Sequence, residues 1–190
     1  LFDKFGSDAV RYWAASARPG VDTAFSEEQM KVGRKLATKL LNASKFVLGF
    51  PEPSVDAKVS NPVDQAMLAR VADTVREATD AFSQYDYARA LERTESLFWW
   101  FCDDYVELVK GRAYASRGPA EAASAQVALR RALSVIQRLF APFIPFATES
   151  VWRWWQPGSV HRAAWPSADE LGDLGDAAVL NPVGEVLAQV

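Results

Sequence analysis

The chain has 190 residues, one cysteine, one histidine, 49% hydrophobic residues and a formal net charge of −3. That length buries a core without a disulfide or metal staple; Cys102 has no partner for an internal disulfide, and Cys102 with His161 makes no zinc cluster. No uncharged apolar run nears the ~20 residues of a membrane span, and the acidic balance excludes whole-surface attraction to nucleic acid, so a soluble protein of a reducing compartment is expected and any RNA site must be a local basic patch.

Residues 3–17 carry apolar positions at Val10, Trp13 and Ala17 before Pro19-Gly20, which predicts a short helix and a turn. Ser26 with Gln29 three residues on has the form of a capping box, and Glu27 and Glu28 suit the first turn of a helix running from about Glu27 to Leu48. Gly49 and Pro51 end it. Asn61-Pro62 opens a third helix reaching about Ser83. The next begins near Asp86 and runs through Phe98, Phe101, Tyr105 and Leu108 toward Tyr114, a stripe that calls for a buried face. Gly118-Pro119 precedes a fifth helix from about Ala120 to Phe140, and Pro142 and Pro145 set off a short one over Phe146–Trp155. Ser159–Trp165 reads as a brief extended piece, and Asn181-Pro182 as a further helix start. The fold expected is all-α, an antiparallel helix bundle.

The helix over 27–48 carries the clearest chemistry. At 100° per residue, Lys31, Arg34, Lys35, Lys39, Asn42 and Lys45 fall within an arc of about 140°, opposite a stripe of Leu36, Leu40, Ala43 and Val47. No acid lies between Gln29 and Leu48, so the five cations read as a phosphate-binding face without a counter-charge, and Phe46 near its edge as a ring for base stacking. The plain alternative is a solvated lysine-rich face.

Other candidates read as structural. Trp99, Trp100, Phe101, Trp152, Trp154 and Trp155 invite a base-stacking reading, but aromatics at helical spacing bury large apolar area, so core packing is expected for most of them. Asp103, Asp104 and Glu107 have neither a partner histidine nor a glycine-rich cation loop, so salt bridges or capping are expected of them rather than a metal. His161 and Cys102 have no nucleophile constellation around them. Neither phosphate-loop pattern, G-x-x-x-x-G-K-[ST] or G-x-G-x-x-G, occurs. The residues by themselves give a helical bundle with one basic helix and no catalytic centre.

Five segments in order carry a resemblance. Asp3-Lys4-Phe5-Gly6-Ser7-Asp8-Ala9-Val10-Arg11-Tyr12-Trp13-Ala14-Ala15-Ser16 resembles the stretch after the K-M-S-K-S loop of class I aminoacyl-tRNA synthetases. Pro19-Gly20-Val21-Asp22 with Lys39-Leu40-Leu41-Asn42-Ala43-Ser44-Lys45-Phe46-Val47 resembles the valyl members in particular. Phe101-Cys102-Asp103-Asp104-Tyr105-Val106-Glu107-Leu108-Val109-Lys110 is similar to their F-C-D-x-Y-x-E-L-x-K, Leu139-Phe140-Ala141-Pro142-Phe143-Ile144-Pro145-Phe146 to their L-x-A-P-F-x-P-F, and Ser159-Val160-His161 with Trp165-Pro166 to their S-V-H and W-P.

The resemblance implies a piece of a valine-tRNA ligase: residues 1–25 finishing the stem-contact region, 26–166 the helical anticodon-binding domain, and 167–190 a linker and the start of a further helix. It implies tRNA(Val) and the enzyme's own catalytic domain as partners, with Lys31, Arg34, Lys35, Lys39, Asn42, Lys45 and Phe46 as tRNA contacts. Neither membrane nor DNA is expected as a partner, and the location implied is cytoplasmic. H-I-G-H and K-M-S-K-S motifs are lacking in these residues, so no catalytic residue, metal or cofactor is expected here, while the whole enzyme would use ATP and Mg. An isoleucyl relative, or a protein-interaction bundle with a tryptophan-rich interface, are the alternative readings.

Overall fold

A computed structural model describes residues 1–172 and 174–180. The chain folds as α1 (Phe2–Phe5), α2 (Ser7–Ala15), α3 (Glu27–Leu48), α4 (Pro62–Ser83), α5 (Tyr87–Trp100), a π-helical turn (Phe101–Tyr105), α6 (Val106–Ala113), α7 (Pro119–Phe140) and α8 (Pro145–Trp152). Short 3-10 turns follow at Val160–Arg162, Ala168–Leu171 and Ala177–Leu180. No strand occurs among the described residues. The expected helix starting at Asn181-Pro182 lies outside them.

The expected caps form. Ser26 Oγ accepts from the Gln29 N–H at 3.2 Å, and Asn61 Oδ1 from the Val63 N–H at 2.9 Å ahead of Pro62. The predicted first helix is instead two, because Gly6 takes φ 86° and ψ 158°, a conformation open to glycine, and interrupts the i→i−4 ladder.

The segment from Asp86 to Tyr114 departs from expectation in register. Phe98, Phe101 and Tyr105 are buried as the stripe requires, but Leu108 is 41% and Tyr114 70% exposed. Val109, Arg112 and Ala113 turn inward in their place. The cause is the π-helical turn at Phe101–Tyr105: its i→i+5 bonding absorbs an extra residue and rotates everything downstream by about 100°.

One large core joins α3, α4, α5, α6 and α7 around Leu36, Leu40, Met67, Leu91, Phe98, Leu129 and Phe140. A second, of Phe5, Ala9 and Met30, seats α1 and α2 on the first half of α3. Between α4, α6 and α7 lies a buried polar knot. Asp64 is fully buried and accepts from Tyr105 Oη at 2.8 Å, Ser124 Oγ at 2.7 Å and the Arg112 guanidinium, with Nη1 at 3.0 Å. Burial and the Asp64 charge push the Tyr105 phenol well above its usual range, so it stays a donor.

Past α8 the expected extended piece is a 3-10 turn flanked by extended residues. Ser159 Oγ accepts from the His161 N–H at 3.3 Å and Glu149 Oε2 from the Val160 N–H at 3.0 Å, and these local bonds curl the backbone. The expected linker from residue 167 also packs, with Leu171 and Leu180 buried.

Candidate nucleic-acid interface

Helix α3 faces the core with Met30, Gly33, Leu36, Leu40, Ser44 and Val47 and turns its basic arc outward. Over the first half of that arc, α1 and α5 raise walls. The result is a groove of about 640 Å³ lined by Lys4, Phe5, Lys31, Arg34, Lys35, Thr38, Lys39, Asn42 and Trp99. Lys31, Arg34, Lys35, Lys39 and Asn42 therefore share one surface. Lys45 and Phe46 stand further along the helix and do not line it.

The groove is not free of counter-charge, which corrects the reading of α3 in isolation. Lys31 pairs with Glu28 one turn back, Lys39 Nζ meets Asp103 Oδ1 at 2.8 Å, and Lys4 Nζ meets Glu27 Oε2 at 2.7 Å. Glu28 precedes the stretch free of acids, and Asp103 comes from the π-helical turn 64 residues away. Five groove cations thus face three carboxylates, and the sign stays positive. Arg34 spends Nη1 on the Lys4 carbonyl at 3.2 Å and keeps its charge, while Lys35 and Lys45 form no ion pair among the described residues. The hydrogen bond that Lys39 donates to Asp103 holds its ammonium above its ordinary range, against the pull of burial.

Phe46 is half-buried, and its ring packs edge-on against Phe50 at 5.1 Å and Tyr114 at 6.3 Å. The solvent-facing ring of that cluster is Tyr114, turned out by the π-helical register. Sequence reasoning missed four groove residues, Lys4, Phe5, Thr38 and Trp99, of which Lys4 adds a charge and Trp99 an indole. Lys4 sits on a different helix from the basic arc, and Trp99 read as one more core aromatic; neither has a local signal of its place in the groove.

The remaining candidates fall out as structural parts. Phe101 and Trp152 are buried, and Trp99, Trp100 and Trp155 half-buried, whereas Trp154 is 47% exposed. Arg70 stacks on Trp100 with its guanidinium carbon 4.0 Å from the ring centroid. Glu107 pairs with Lys110, as Asp103 does with Lys39. His161 Nε2 lies 3.1 Å from the Pro145 carbonyl, and burial pushes the Cys102 thiol up to about 12, which leaves it an inert neutral group. Among the described residues no three His, Cys, Asp or Glu side chains gather to hold a metal ion, and no helix is long and apolar enough to cross a membrane.

A basic groove on an all-helical bundle is a surface for an anion, and the comparisons define the class. Residues 64–187 match the model of the anticodon-binding domain of tRNA ligases, and the chain belongs to that family. Its relatives are specific in kind. It is 54% identical to the valine-tRNA ligase of Cutibacterium acnes and 57% identical to that of Thermobifida fusca, in each case over 100% of this chain and 22% of that protein. Against the valine-tRNA ligase of Salinispora arenicola the identity is 58% over 93% of this chain and 21% of that protein. The chain thus spans about a fifth of the length of these relatives. In fold it resembles part of a LeuRS from Agrobacterium radiobacter, solved in a ternary complex with tRNA and LeuAMS, with a TM-score of 0.66 at 18% identity over 89% of this chain and 20% of that one.

Proposed function

We propose that this chain is the tRNA-binding bundle of a valine-tRNA ligase, gripping the anticodon stem and loop of tRNA(Val) so that the acceptor end reaches a catalytic domain elsewhere in the enzyme. The observation that supports it most directly is the groove in which Lys4, Lys31, Arg34, Lys35 and Lys39 converge beside Asn42. Phosphates spaced along an RNA backbone meet such a row of cations without sequence preference, and Asn42 supplies an amide able to donate to and accept from a base edge. Lys45 extends the row along α3, and Phe46 backs the Phe50–Tyr114 cluster beside it. Residues 1–25 would form the end of the stem-contact region and 26–166 the anticodon-binding domain, in an enzyme of the cytoplasm that uses ATP and Mg at residues outside this chain.

The test is a titration of the chain against tRNA(Val), tRNA(Ile) and an anticodon-swapped tRNA at several salt concentrations. With about four phosphates held, the log-log slope should be about −3, a loss of roughly sixtyfold between about 50 and 200 mM salt. Lys35→Gln with Lys39→Gln should flatten the slope by about one to two and weaken every tRNA alike. Equal affinity for all three tRNAs would remove the valyl assignment, and an unchanged slope in the folded double variant would make α3 a solvated face.

A further inference from the structure

Trp99 stands where two unlike surfaces meet. On one side is the basic groove of α3; on the other a groove of about 790 Å³ between α2 and α5, whose lining includes Glu92 and Glu95. All seven tryptophans of the chain are among the described residues, and Trp99 alone lines the basic groove. The others are engaged elsewhere or lie off it: Trp100 under Arg70, Trp152 against Trp155, Trp13 against Phe25 and Trp165 against Phe82, with Trp154 exposed away from the groove.

The indole is held in place by a relay of hydrogen bonds. Its Nε1–H donates to Glu95 Oε1 at 3.0 Å, and Glu95 Oε2 accepts from Tyr12 Oη at 2.7 Å. Burial, and then the hydrogen bond to Glu95 and its charge, raise the Tyr12 phenol far above its usual range, so it remains the donor. The Lys39 ammonium lies 5.8 Å from the indole centroid, so the ring's π-face is already within reach of a group in the groove. A half-buried indole, fixed in orientation and edged by lysines, has the properties of a stacking site.

We propose that Trp99 is a stacking platform for an unpaired RNA base, whose flanking phosphates lie over Arg34, Lys35 and Lys39 of α3. This rests on the reading of the groove as an RNA surface. Charge sets the direction: beyond Trp99 Arg18 meets Glu92 at 3.6 Å, but Asp22, Glu92 and Glu95 outnumber it and leave that lining acidic, so the backbone stays over α3 while the uncharged base turns to the indole. Glu95 and Tyr12 are positioning residues that act through the ring.

The experiment measures binding of the chain to the anticodon stem-loop of tRNA(Val) and to a blunt duplex of the same stem, comparing Trp99→Phe with Trp99→Leu. Both variants lose the bond to Glu95 and some volume, so any cost of packing is common to them and the difference isolates the aromatic face. The leucine variant should bind the stem-loop about 5- to 150-fold more weakly than the phenylalanine variant, with the same salt slope and equal affinities for the duplex. Equal affinities of the two variants for the stem-loop, or an equal difference on the duplex, overturn the proposal. If Lys35→Gln still weakens both RNAs in that case, the groove binds RNA and only the role of Trp99 falls. Absence of salt-dependent binding by the unaltered chain removes both.

Discussion

The Tyr12 ring fills the space that a side chain on Gly33 would need: a Cβ there would lie 2.7 Å from Tyr12 Cβ and 2.8 Å from its ring. That close approach lets α2 lie against α3 and carries the Tyr12 hydroxyl to Glu95. Gly33→Ala should therefore destabilise the chain by up to about 2 kcal/mol, an overpacking cost of about 1–3 offset by about 1 from helix propensity. Urea denaturation checks it, and a gain in stability would mean that α2 yields without strain.

Asp103 competes with any phosphate for Lys39. Asp103→Asn keeps the side-chain size and removes the charge that competes for Lys39, so it should tighten RNA binding and steepen the log-log salt slope by up to about 0.7, the full share of one single-strand phosphate on Lys39. An unchanged slope would show that Lys39 serves α5 and the π-helical turn rather than RNA.

Asp64→Ala leaves the Arg112 guanidinium, whose side chain is 9% exposed, without its buried partner, and strips acceptors from Tyr105 and Ser124. Breaking such a pair costs about 3–5 kcal/mol, which a shift in the urea midpoint at constant slope would register. A loss below about 1 kcal/mol would show that Glu121, 3.2 Å from Arg112 Nη1, takes over.

Glu149 predicts an acid dependence. Burial raises its carboxyl, but Ser159 Oγ at 2.8 Å, Arg153 Nε at 2.7 Å and the Val160 N–H together bring it below the usual value. Its contribution is fully present above the unfolded value of about pH 4.3 and is lost as pH falls through the lower folded value. Glu149→Gln should flatten that part of the stability profile, and the protection factor of the Val160 amide, its exchange rate relative to that of an unprotected amide at the same pH, should fall in the native chain as acid is added. Equal acid profiles for the two proteins would leave Glu149 without a role.

Much of the fold was legible in the residues. Ser26 with Gln29 and Asn61 with Pro62 mark helix starts because caps satisfy local donors, and the Leu36, Leu40, Val47 stripe marks the buried face because helical period is a local property. The basic arc of α3 was legible on the same ground, as were the segments resembling the valyl enzymes. Tertiary structure decided what depends on partners distant in the chain. Asp8 caps α8 by accepting from the Phe146 and Ala147 N–H groups at 3.1 and 2.7 Å, across 138 and 139 residues, and no spacing rule couples them. The π-helical turn chose Val109 and Arg112 over Leu108 for the interior because Asp64 waits there for the guanidinium, a choice made by burial energy and not by period. So too with the groove: periodicity assigned Lys39 to a face, but only packing brought Asp103 to neutralise it and Lys4 and Trp99 to stand beside it, because electrostatic and stacking partners are set by distance in space.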